Sequence, residues 1–157
     1  MKLIPLTLGQ FAKVDDADFK RFGRLQWKAI KKKNGYYAMR EPYIDGIRFR
    51  TYLHRLILGD PLGELVDHKN RNPLDCRKKN LRICNRSQNA ANRSGAQPNS
   101  KSGIRGVSWG QYGKWRAYIN VNDRTIALGS FSSAEEASKA YARANRKHFG
   151  QFGGVLK

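Results

Sequence analysis

Short stretches of alternating apolar and polar residues fill the first third of the chain, and this two-residue period is typical of β-strands. Turn residues such as Asp45-Gly46 separate several of these stretches. Asp15 and Asp16 indicate the start of one short helix. The predicted strands span residues 3–6, 11–14, 27–30, 36–39 and 47–53. Residues 1–53 are therefore predicted to form a β-rich region.

The middle of the chain has a different order of elements. Residues 54–58 are predicted to form a short helix, and a short strand follows at 66–68. A long polar loop leads to a second short strand at 81–84. Ser87 is predicted to cap a helix that carries Asn89. From residue 66 onward the predicted order is therefore strand, loop, strand and helix.

The last third of the chain contains three predicted strands followed by one helix. Ser133, with Glu136 three residues later, indicates where this helix begins. A polar stretch rich in serine and glycine, residues 94–103, is predicted to be a flexible linker ahead of the strands. The predicted strands span residues 104–109, 114–121 and 124–128. The chain is therefore predicted to be α+β, with a three-stranded antiparallel sheet packed on one helix at its C-terminal end.

The charge of the chain predicts the kind of partner it binds. Its 157 residues include 31 Lys and Arg but only 12 Asp and Glu, a formal net charge of +19. Such an excess favours nucleic acid or an anionic membrane surface as the partner. No apolar run approaches the ~20 residues of a membrane-spanning helix, and the N-terminal residues lack the pattern of a signal peptide. We therefore expect an intracellular protein that binds double-stranded DNA and no membrane.

The polar residues of the strand–loop–strand–helix segment indicate a metal-dependent site. The two cysteines, Cys76 and Cys84, exclude a four-cysteine zinc site and do not suggest a disulfide scaffold. Asp67 and the helical amide of Asn89 offer oxygen ligands to a hard cation such as Mg²⁺. A neutral His68 can take a proton from water near pH 7. Together these groups suit hydrolysis of a phosphodiester, provided that the strand ends or twists where Asp67 and His68 meet.

The same residues form a spaced pattern with their neighbours. It consists of Asp67-His68, then Leu74, Asp75, Arg77, Asn80, Leu81 and Arg82, then Asn89, with His54-Arg55-Leu56 upstream. This pattern resembles the HNH, or ββα-metal, nucleases, and among them the phage and intron homing endonucleases. The resemblance implies that Asp67 and Asn89 bind one divalent metal ion, Mg²⁺ or Mn²⁺. It also implies that His68 is the general base and that Asn80 supports the loop for catalysis.

The loop of this pattern departs from the family at two positions. Family members often have Gly and Asn where this chain has Arg71 and Cys76, so the shape of the loop is in question. Asn92 lies one helical turn after Asn89 and is an alternative metal ligand. Basic residues in the first part of the chain are candidates for contact with DNA phosphates. These are Arg48, Arg50, Arg71, Lys78 and Lys79.

A second pattern covers residues 104–153. It includes Arg105-Gly106-Val107, Lys114-Trp115, Leu128-Gly129-Ser130-Phe131 and Ala134-Glu135-Glu136-Ala137. This combination resembles the Apetala-two/ethylene-response-factor DNA-binding domain, which implies that the sheet lies in the DNA major groove. Strand alternation assigns one face of the sheet to the helix and the other to DNA. The residues expected at DNA are Arg105, Ser108, Arg116, Tyr118, Asn120, Arg124 and Thr125.

We therefore expect a sequence-specific, metal-dependent DNA endonuclease of homing type that leaves 3′-hydroxyl and 5′-phosphate ends. The expected domains are an HNH domain at 1–93 with its ββα-metal core at 54–93, the linker at 94–103 and the DNA-binding domain at 104–157. The enzyme either nicks DNA or cuts both strands, and one HNH site per chain favours nicking if the protein is the monomer that we expect. No small-molecule cofactor is expected. Such proteins are encoded by bacteriophages or mobile elements and act in the cytoplasm of a bacterial host. The alternative is a DNA-binding transcriptional regulator with an inactive nuclease motif.

Overall fold

The computed structural model describes residues 1–93, 95–96 and 100–153. Parts of the linker predicted at 94–103, and the last residues of the domain predicted at 104–157, lie outside the described residues. The described chain is α+β, as the sequence predicts, and contains small antiparallel sheets and short helices. It forms two compact units, Met1–Cys84 and Asn85–Lys157.

The first unit is built from short strands and confirms the β-rich pattern of its sequence. Its strands are β1 (Lys2–Pro5), β2 (Phe11–Val14), β3 (Lys28–Lys32), β4 (Gly35–Arg40), β5 (Tyr43–Ile44), β6 (Ile47–Arg48), β7 (Thr51–Tyr52), β8 (Leu65–His68) and β9 (Leu81–Cys84). Its helices are α1 (Asp16–Phe22) and α2 (Leu53–Ile57), and a 3₁₀ turn spans Lys78–Asn80. The antiparallel sheets are β1–β2, β3–β4–β7, β5–β6 and β8–β9.

The strand predicted at 47–53 is interrupted, so the prediction of one continuous strand is wrong. Phe49 and Arg50 separate β6 from β7. Pro42 lies across from Phe49 and has no backbone N–H to donate to the ladder. The N–H of Phe49 donates to the Pro42 carbonyl at 3.0 Å, but no bond returns from the proline nitrogen. Arg48 therefore lies on β6, whereas Arg50 lies between the two strands.

The core of the first unit joins the N-terminal hairpin to α2. Ile4, Val14 and Leu53 are completely buried, and Trp27 packs with them. The indole N–H of Trp27 donates to the carbonyl of Phe22 at 3.1 Å, so the ring is held by a hydrogen bond as well as by packing. This core supports the start of α2, where β7 ends.

The polar loop between β8 and β9 is attached to β2 by backbone hydrogen bonds. The N–H of Lys13 donates to the Leu74 carbonyl at 2.7 Å, and its carbonyl accepts from the N–H of Cys76 at 2.8 Å. Cys76 is fully buried, and burial raises the pKa of its thiol to about 12. The thiol is therefore neutral at pH 7 and fills a core position beneath the loop.

The second unit contains one short helix, a three-stranded antiparallel sheet and one long helix among its described residues. They are α3 (Arg86–Ala91), β10 (Val107–Trp109), β11 (Trp115–Val121), β12 (Arg124–Phe131) and α4 (Ala134–Phe149). The sheet order is β10–β11–β12, and α4 packs on one face of it. The three strands and the helix confirm the elements predicted for this part of the chain, although β12 is longer than expected.

A bulge in β12 lets this strand pack on α4 over its whole length. Opposite Ala117 and Tyr118 of β11, the register of β12 shifts by one residue at Leu128. Leu128 and Phe131 therefore both pack against the buried side chains of Ala117 and Ala137, although they are three residues apart. Without the shift, strict alternation would have placed them on opposite faces.

The short helix α3 begins with a cap that the sequence analysis did not identify. The side chain of Asn85 accepts a hydrogen bond from the backbone N–H of Gln88 at 2.8 Å, and the Gln88 side chain accepts from the N–H of Asn85 at 3.0 Å. This is a complete capping box. The prediction that Ser87 caps the helix is wrong, because Ser87 lies inside α3 and accepts from the N–H of Asn122 instead.

The end of α3 is held by the rest of the second unit. The Arg105 guanidinium donates to the carbonyls of Ala90 at 2.6 Å and Ala91 at 3.0 Å. Ala91 is buried in one cluster with Ile119 of β11 and Tyr141 of α4. The Ala90 carbonyl also accepts from the backbone N–H of Arg93 at 3.1 Å, so Arg105 adds a further hydrogen bond there and supplies a partner for the Ala91 carbonyl at the end of the helix.

The long helix α4 begins as predicted. The hydroxyl of Ser133 accepts a hydrogen bond from the N–H of Glu136 at 3.2 Å. The Glu136 carboxylate does not complete a capping box, because it accepts from the hydroxyl of Ser132 at 2.9 Å. No helix in the described part of the chain, α4 included, is long and apolar enough to cross a membrane.

Candidate active site

The β8–β9 hairpin holds Asp67 and His68 at the end of its first strand. β8 ends at His68, and Asp67 lies directly across from Arg82 of β9. Both side chains are buried, with Asp67 7% exposed and His68 6% exposed. The strand therefore ends where Asp67 and His68 meet. A strand end at this point is what allows two adjacent side chains to serve one site.

Arg82 binds the carboxylate of Asp67 through two N–H groups. Its Nη2 lies 2.6 Å and its Nε 2.8 Å from Oδ2 of Asp67. Both side chains are more than nine-tenths buried. Transfer of a lone carboxylate out of water costs several kcal/mol, so Arg82 compensates a charge that this part of the fold could not hold alone.

His68 belongs to a cluster of four rings, formed with Tyr37, Tyr52 and His54. The ring centroid of His68 lies 4.9 Å from that of His54 in α2 and 6.2 Å from that of Tyr37 in β4. Tyr52 of β7 lies 5.7 Å from His54 and 6.4 Å from Tyr37. Elements from residues far apart in the sequence therefore converge on the candidate general base.

Burial keeps both imidazoles of this cluster neutral. It lowers the pKa of His68 to about 4, although the carboxylates of Asp67 and Asp75 act in the opposite direction. It also lowers the pKa of His54 to about 3, and neighbouring His68, Arg55 and Lys32 act in the same direction as burial. A neutral imidazole is the form that accepts a proton, so His68 is in the state that a general base requires at pH 7.

Asn80 connects the two ends of the polar loop. Its side-chain oxygen accepts from the N–H of Asn70 at 3.0 Å, and its side-chain N–H donates to the Asp75 carbonyl at 2.7 Å. The Asp75 carboxylate accepts from the Asn70 amide at 2.8 Å and from the Arg77 guanidinium at 2.6 Å, and these bonds, Arg77 above all, lower the pKa of Asp75. This network fixes the loop that follows His68, in keeping with the supporting role expected of Asn80.

Arg71 adopts a backbone conformation that favours glycine. Its φ is +64°, in the left-handed region, and its N–H donates to the carbonyl of His68 at 2.8 Å. A side chain in this conformation costs roughly 1–2 kcal/mol. The turn after His68 therefore has the backbone that a glycine would favour, despite the arginine at this position.

Asn89 and Asn92 lie in the second unit. Asn89 is half-buried in α3, whereas Asn92 ends the helix and is 4% exposed. Of the two amides, that of Asn89 is the more accessible to a ligand. Its assignment as a metal ligand stays a prediction.

Several basic residues expected at DNA phosphates are engaged within their own unit. Lys79 is exposed, and Arg71 is half-buried. The engaged residues are Arg48 with the Tyr43 hydroxyl, Arg50 with Glu41, Lys78 with the buried Asp18, and Arg105 with the last turn of α3. Their guanidinium and ammonium groups must leave or share these partners to bind a phosphate.

The sheet of the second unit exposes much of the face expected at DNA. Arg116, Tyr118 and Asn120 of β11 are exposed, while the residues between them are buried. Thr125 lies across from Asn120, and its hydroxyl donates to the side-chain oxygen of Asn120 at 2.8 Å. Arg124 pairs with Val121 at the end of the sheet, so strand alternation assigns it to the helix side. Ser108 pairs with Arg116 and shares its face.

The donors of the candidate site fit a hard divalent cation better than zinc. Among residues 1–93, 95–96 and 100–153, no three His, Cys, Asp or Glu side chains come together as a metal site. Taken singly, the carboxylate of Asp67 in the first unit and the amide oxygen of Asn89 in the second unit are hard donors, which suit Mg²⁺ or Mn²⁺.

Sequence reasoning missed part of the ring cluster. The sequence pattern places Tyr37 and Tyr52 only on strands and His54 only in the HNH-like pattern. It gives no signal for Lys32, whose Nζ lies 4.2 Å from the ring centroid of Tyr52 and 5.1 Å from that of Tyr37. The alternation of β3 and β4 could have indicated a shared face, but not its proximity to His68.

One comparison with known proteins identifies a family for part of the chain. Residues 51–91 match a family model described as HNH endonuclease. The matched segment runs from β7 to the end of α3 and includes His54, Asp67, His68, Asn80 and Asn89. No curated protein and no solved structure shows a significant match to the chain. HNH nucleases generally use a divalent metal ion. The chain carries an HNH endonuclease domain and is a DNA-cleaving hydrolase.

Proposed function

We propose that the protein is a sequence-specific, metal-dependent DNA endonuclease of homing type that nicks DNA as a monomer. The observation that carries the proposal is a neutral, buried His68 beside a buried Asp67, inside the segment that matches HNH endonucleases. A DNA-binding regulator with an inactive motif is less well supported, because the side chains that the chemistry needs are intact. An origin in a bacteriophage or mobile element is part of the same proposal.

In the proposed reaction, His68 takes the proton of the attacking water as the water oxygen bonds to phosphorus. The bond from phosphorus to the 3′ oxygen of the neighbouring nucleotide breaks, and this oxygen takes a proton from solvent water, which gives 3′-hydroxyl and 5′-phosphate ends. The rings of His54 and Tyr37 restrict the imidazole of His68, so little reorientation precedes the proton transfer.

Asp67 and Asn89 are the proposed ligands of one Mg²⁺ or Mn²⁺. When bound, the ion would supply positive charge that stabilises the transition-state phosphate and the leaving 3′ oxygen. Arg82 orients the carboxylate of Asp67 from the opposite strand. Asn80 holds the loop that follows His68 and acts on the site only through that loop.

We further propose that the exposed face of β10, β11 and β12 reads DNA in the major groove, as in the Apetala-two type of domain. Arg116 can donate two hydrogen bonds to a guanine edge, and Asn120 can pair with adenine. The hydroxyl of Thr125 orients the amide of Asn120, whose oxygen retains a second lone pair for a base. The domain limits 1–93, 94–103 and 104–157 belong to this proposal.

The test is a nicking assay on supercoiled plasmid with Mg²⁺ or Mn²⁺, with and without EDTA. The wild type should convert supercoiled to open-circular DNA only when metal is available. His68→Ala should slow this conversion by roughly 10²–10⁴-fold. His148→Ala is the matched control, because His148 is an exposed residue of α4. Cleavage that resists EDTA contradicts the metal mechanism, and full activity of His68→Ala contradicts the role of His68.

A further inference from the structure

Lys32 lies at the edge of the ring cluster that holds His68. Its Nζ contacts the face of Tyr52 at 4.2 Å and that of Tyr37 at 5.1 Å. The Tyr37 ring also contacts His68, at 6.2 Å between centroids. One aromatic ring therefore touches both the ammonium group and the candidate general base.

The backbone fixes this arrangement as well. Lys32 is the last residue of β3 and lies across from Gly35, where β4 begins. Tyr37 follows on β4, and Tyr52 lies on β7, the next strand of the same sheet. The backbone that carries Lys32 and both rings therefore belongs to one sheet.

The ammonium group of Lys32 contacts two aromatic rings that do not neutralise its charge. Within the described residues, no carboxylate lies within salt-bridge distance of its Nζ, and its contacts there are with the two ring faces. Aromatic faces attract a cation without cancelling its charge. Lys32 is also exposed, so its ammonium group is accessible to an anion from solution.

We propose that Lys32 stabilises the negative charge that develops in the transition state on the non-bridging oxygens of the scissile phosphate of the DNA. This assignment rests on the proposed nuclease function and adds a residue to its site. The water that His68 activates attacks phosphorus, so the scissile phosphate must lie beside His68, and Lys32 contacts the same Tyr37 ring as His68. A donor that is fixed before the reaction stabilises the transition state without reorganisation.

A purely structural lysine is the competing explanation. Long side chains often lie over apolar rings and keep the charged end in water. In that case loss of the charge would change neither the catalytic rate nor the DNA affinity more than loss of a neighbouring lysine does. A lysine that acts on the scissile phosphate would instead lower the catalytic rate on saturating DNA.

The experiment compares Lys32→Gln with Lys31→Gln. Lys31 is the preceding residue of β3, is also exposed and projects from the opposite face of the strand, so its replacement removes the same charge elsewhere. The single-turnover nicking rate is measured on saturating plasmid with Mg²⁺. Affinity for the same DNA is measured in EDTA, and thermal unfolding confirms that each variant folds.

Lys32→Gln should lower the single-turnover rate by roughly 10²-fold, with an affinity equal to that of Lys31→Gln. Lys32→Arg should recover part of the rate, because it restores the positive charge, and it also provides the test if Lys32→Gln fails to fold. Equal rates for the two glutamine variants would overturn the proposal. An affinity loss specific to Lys32→Gln with an unchanged rate would also overturn it. A wild type that does not nick contradicts the proposed function itself, which is a separate result.

Discussion

The imidazole of His54 meets that of His68 edge-on, with 4.9 Å between the ring centroids. Burial lowers the pKa of His54 to about 3 and that of His68 to about 4 in the folded protein. Unfolded chains titrate their histidines near 6.5. As the pH falls below about 6.5, the unfolded chain therefore binds protons that the folded protein does not.

The free energy of unfolding should decrease as the pH falls from about 6.5 towards 5, by up to about 1.4 kcal/mol per pH unit for each histidine. Above 6.5 the contribution is fully present, because both states are then neutral. Urea unfolding at pH 7.5, 6.5 and 5.5 measures this slope. His54→Gln should reduce it, whereas His148→Gln, on the surface of α4, should not. A stability that does not change over this range would contradict the neutral, buried pair.

The ion pair of Asp67 and Arg82 gives a second prediction. Arg82→Met leaves the Asp67 carboxylate buried without its guanidinium, which should cost about 3–5 kcal/mol of unfolding free energy. Adding Asp67→Asn to this variant should recover part of the loss, because the buried charge is then removed. Denaturant unfolding of both single variants and the double variant measures the coupling. Additive losses would show that the two side chains do not stabilise each other.

The left-handed backbone of Arg71 gives a third prediction. Arg71→Gly and Arg71→Ala remove the same side-chain contacts and charge, but only glycine relieves the positive φ. The glycine variant should therefore be more stable than the alanine variant by about 1 kcal/mol. Both should reduce the salt dependence of DNA binding equally if Arg71 contacts a phosphate. Equal stabilities would contradict the strained turn.

The engaged and accessible arginines should differ in their contribution to DNA binding. Arg116→Gln should reduce the slope of log affinity against log salt concentration by about 1, because one positive charge that contacts DNA is lost. Arg50→Gln should reduce it less, because its guanidinium lies 3.0 Å from Glu41. Filter binding or fluorescence anisotropy between 50 and 200 mM salt gives both slopes. A larger effect of Arg50→Gln would move the main DNA surface to the first unit.

The features that the sequence predicted best depend on neighbouring residues. β8 and β9, the alternation of β11 and the Ser133 cap each follow from local pattern. The cap of α3 is also local, because Gln88 is the third helical residue after Asn85, and the prediction of Ser87 as the cap is wrong by two residues. The family resemblance led to the segment that the HNH endonuclease model matches.

The features that the sequence did not predict depend on contacts between distant residues. His54, Tyr37 and Tyr52 meet His68 only because four separate elements of the first unit converge. The local pattern of residues 47–53 predicts a continuous strand. Pro42, which lies across the hairpin from Phe49, interrupts that strand. The reach of Arg105 to the carbonyls of α3 likewise depends on tertiary structure and not on strand alternation.

The way α3 folds with the second unit has a consequence for how this protein can be recombined with others. The predicted linker at 94–103 is the simplest position at which to replace the sheet that is proposed to read DNA. An exchange there would leave Asn89 on a helix separated from Arg105, Ile119 and Tyr141, which hold it in place. The foreign sheet would have to supply equivalents of all three. A chimera joined between Cys84 and Asn85 would instead inherit the helix together with its supports, and the part of the chain that is proposed to read DNA would bring one proposed metal ligand with it.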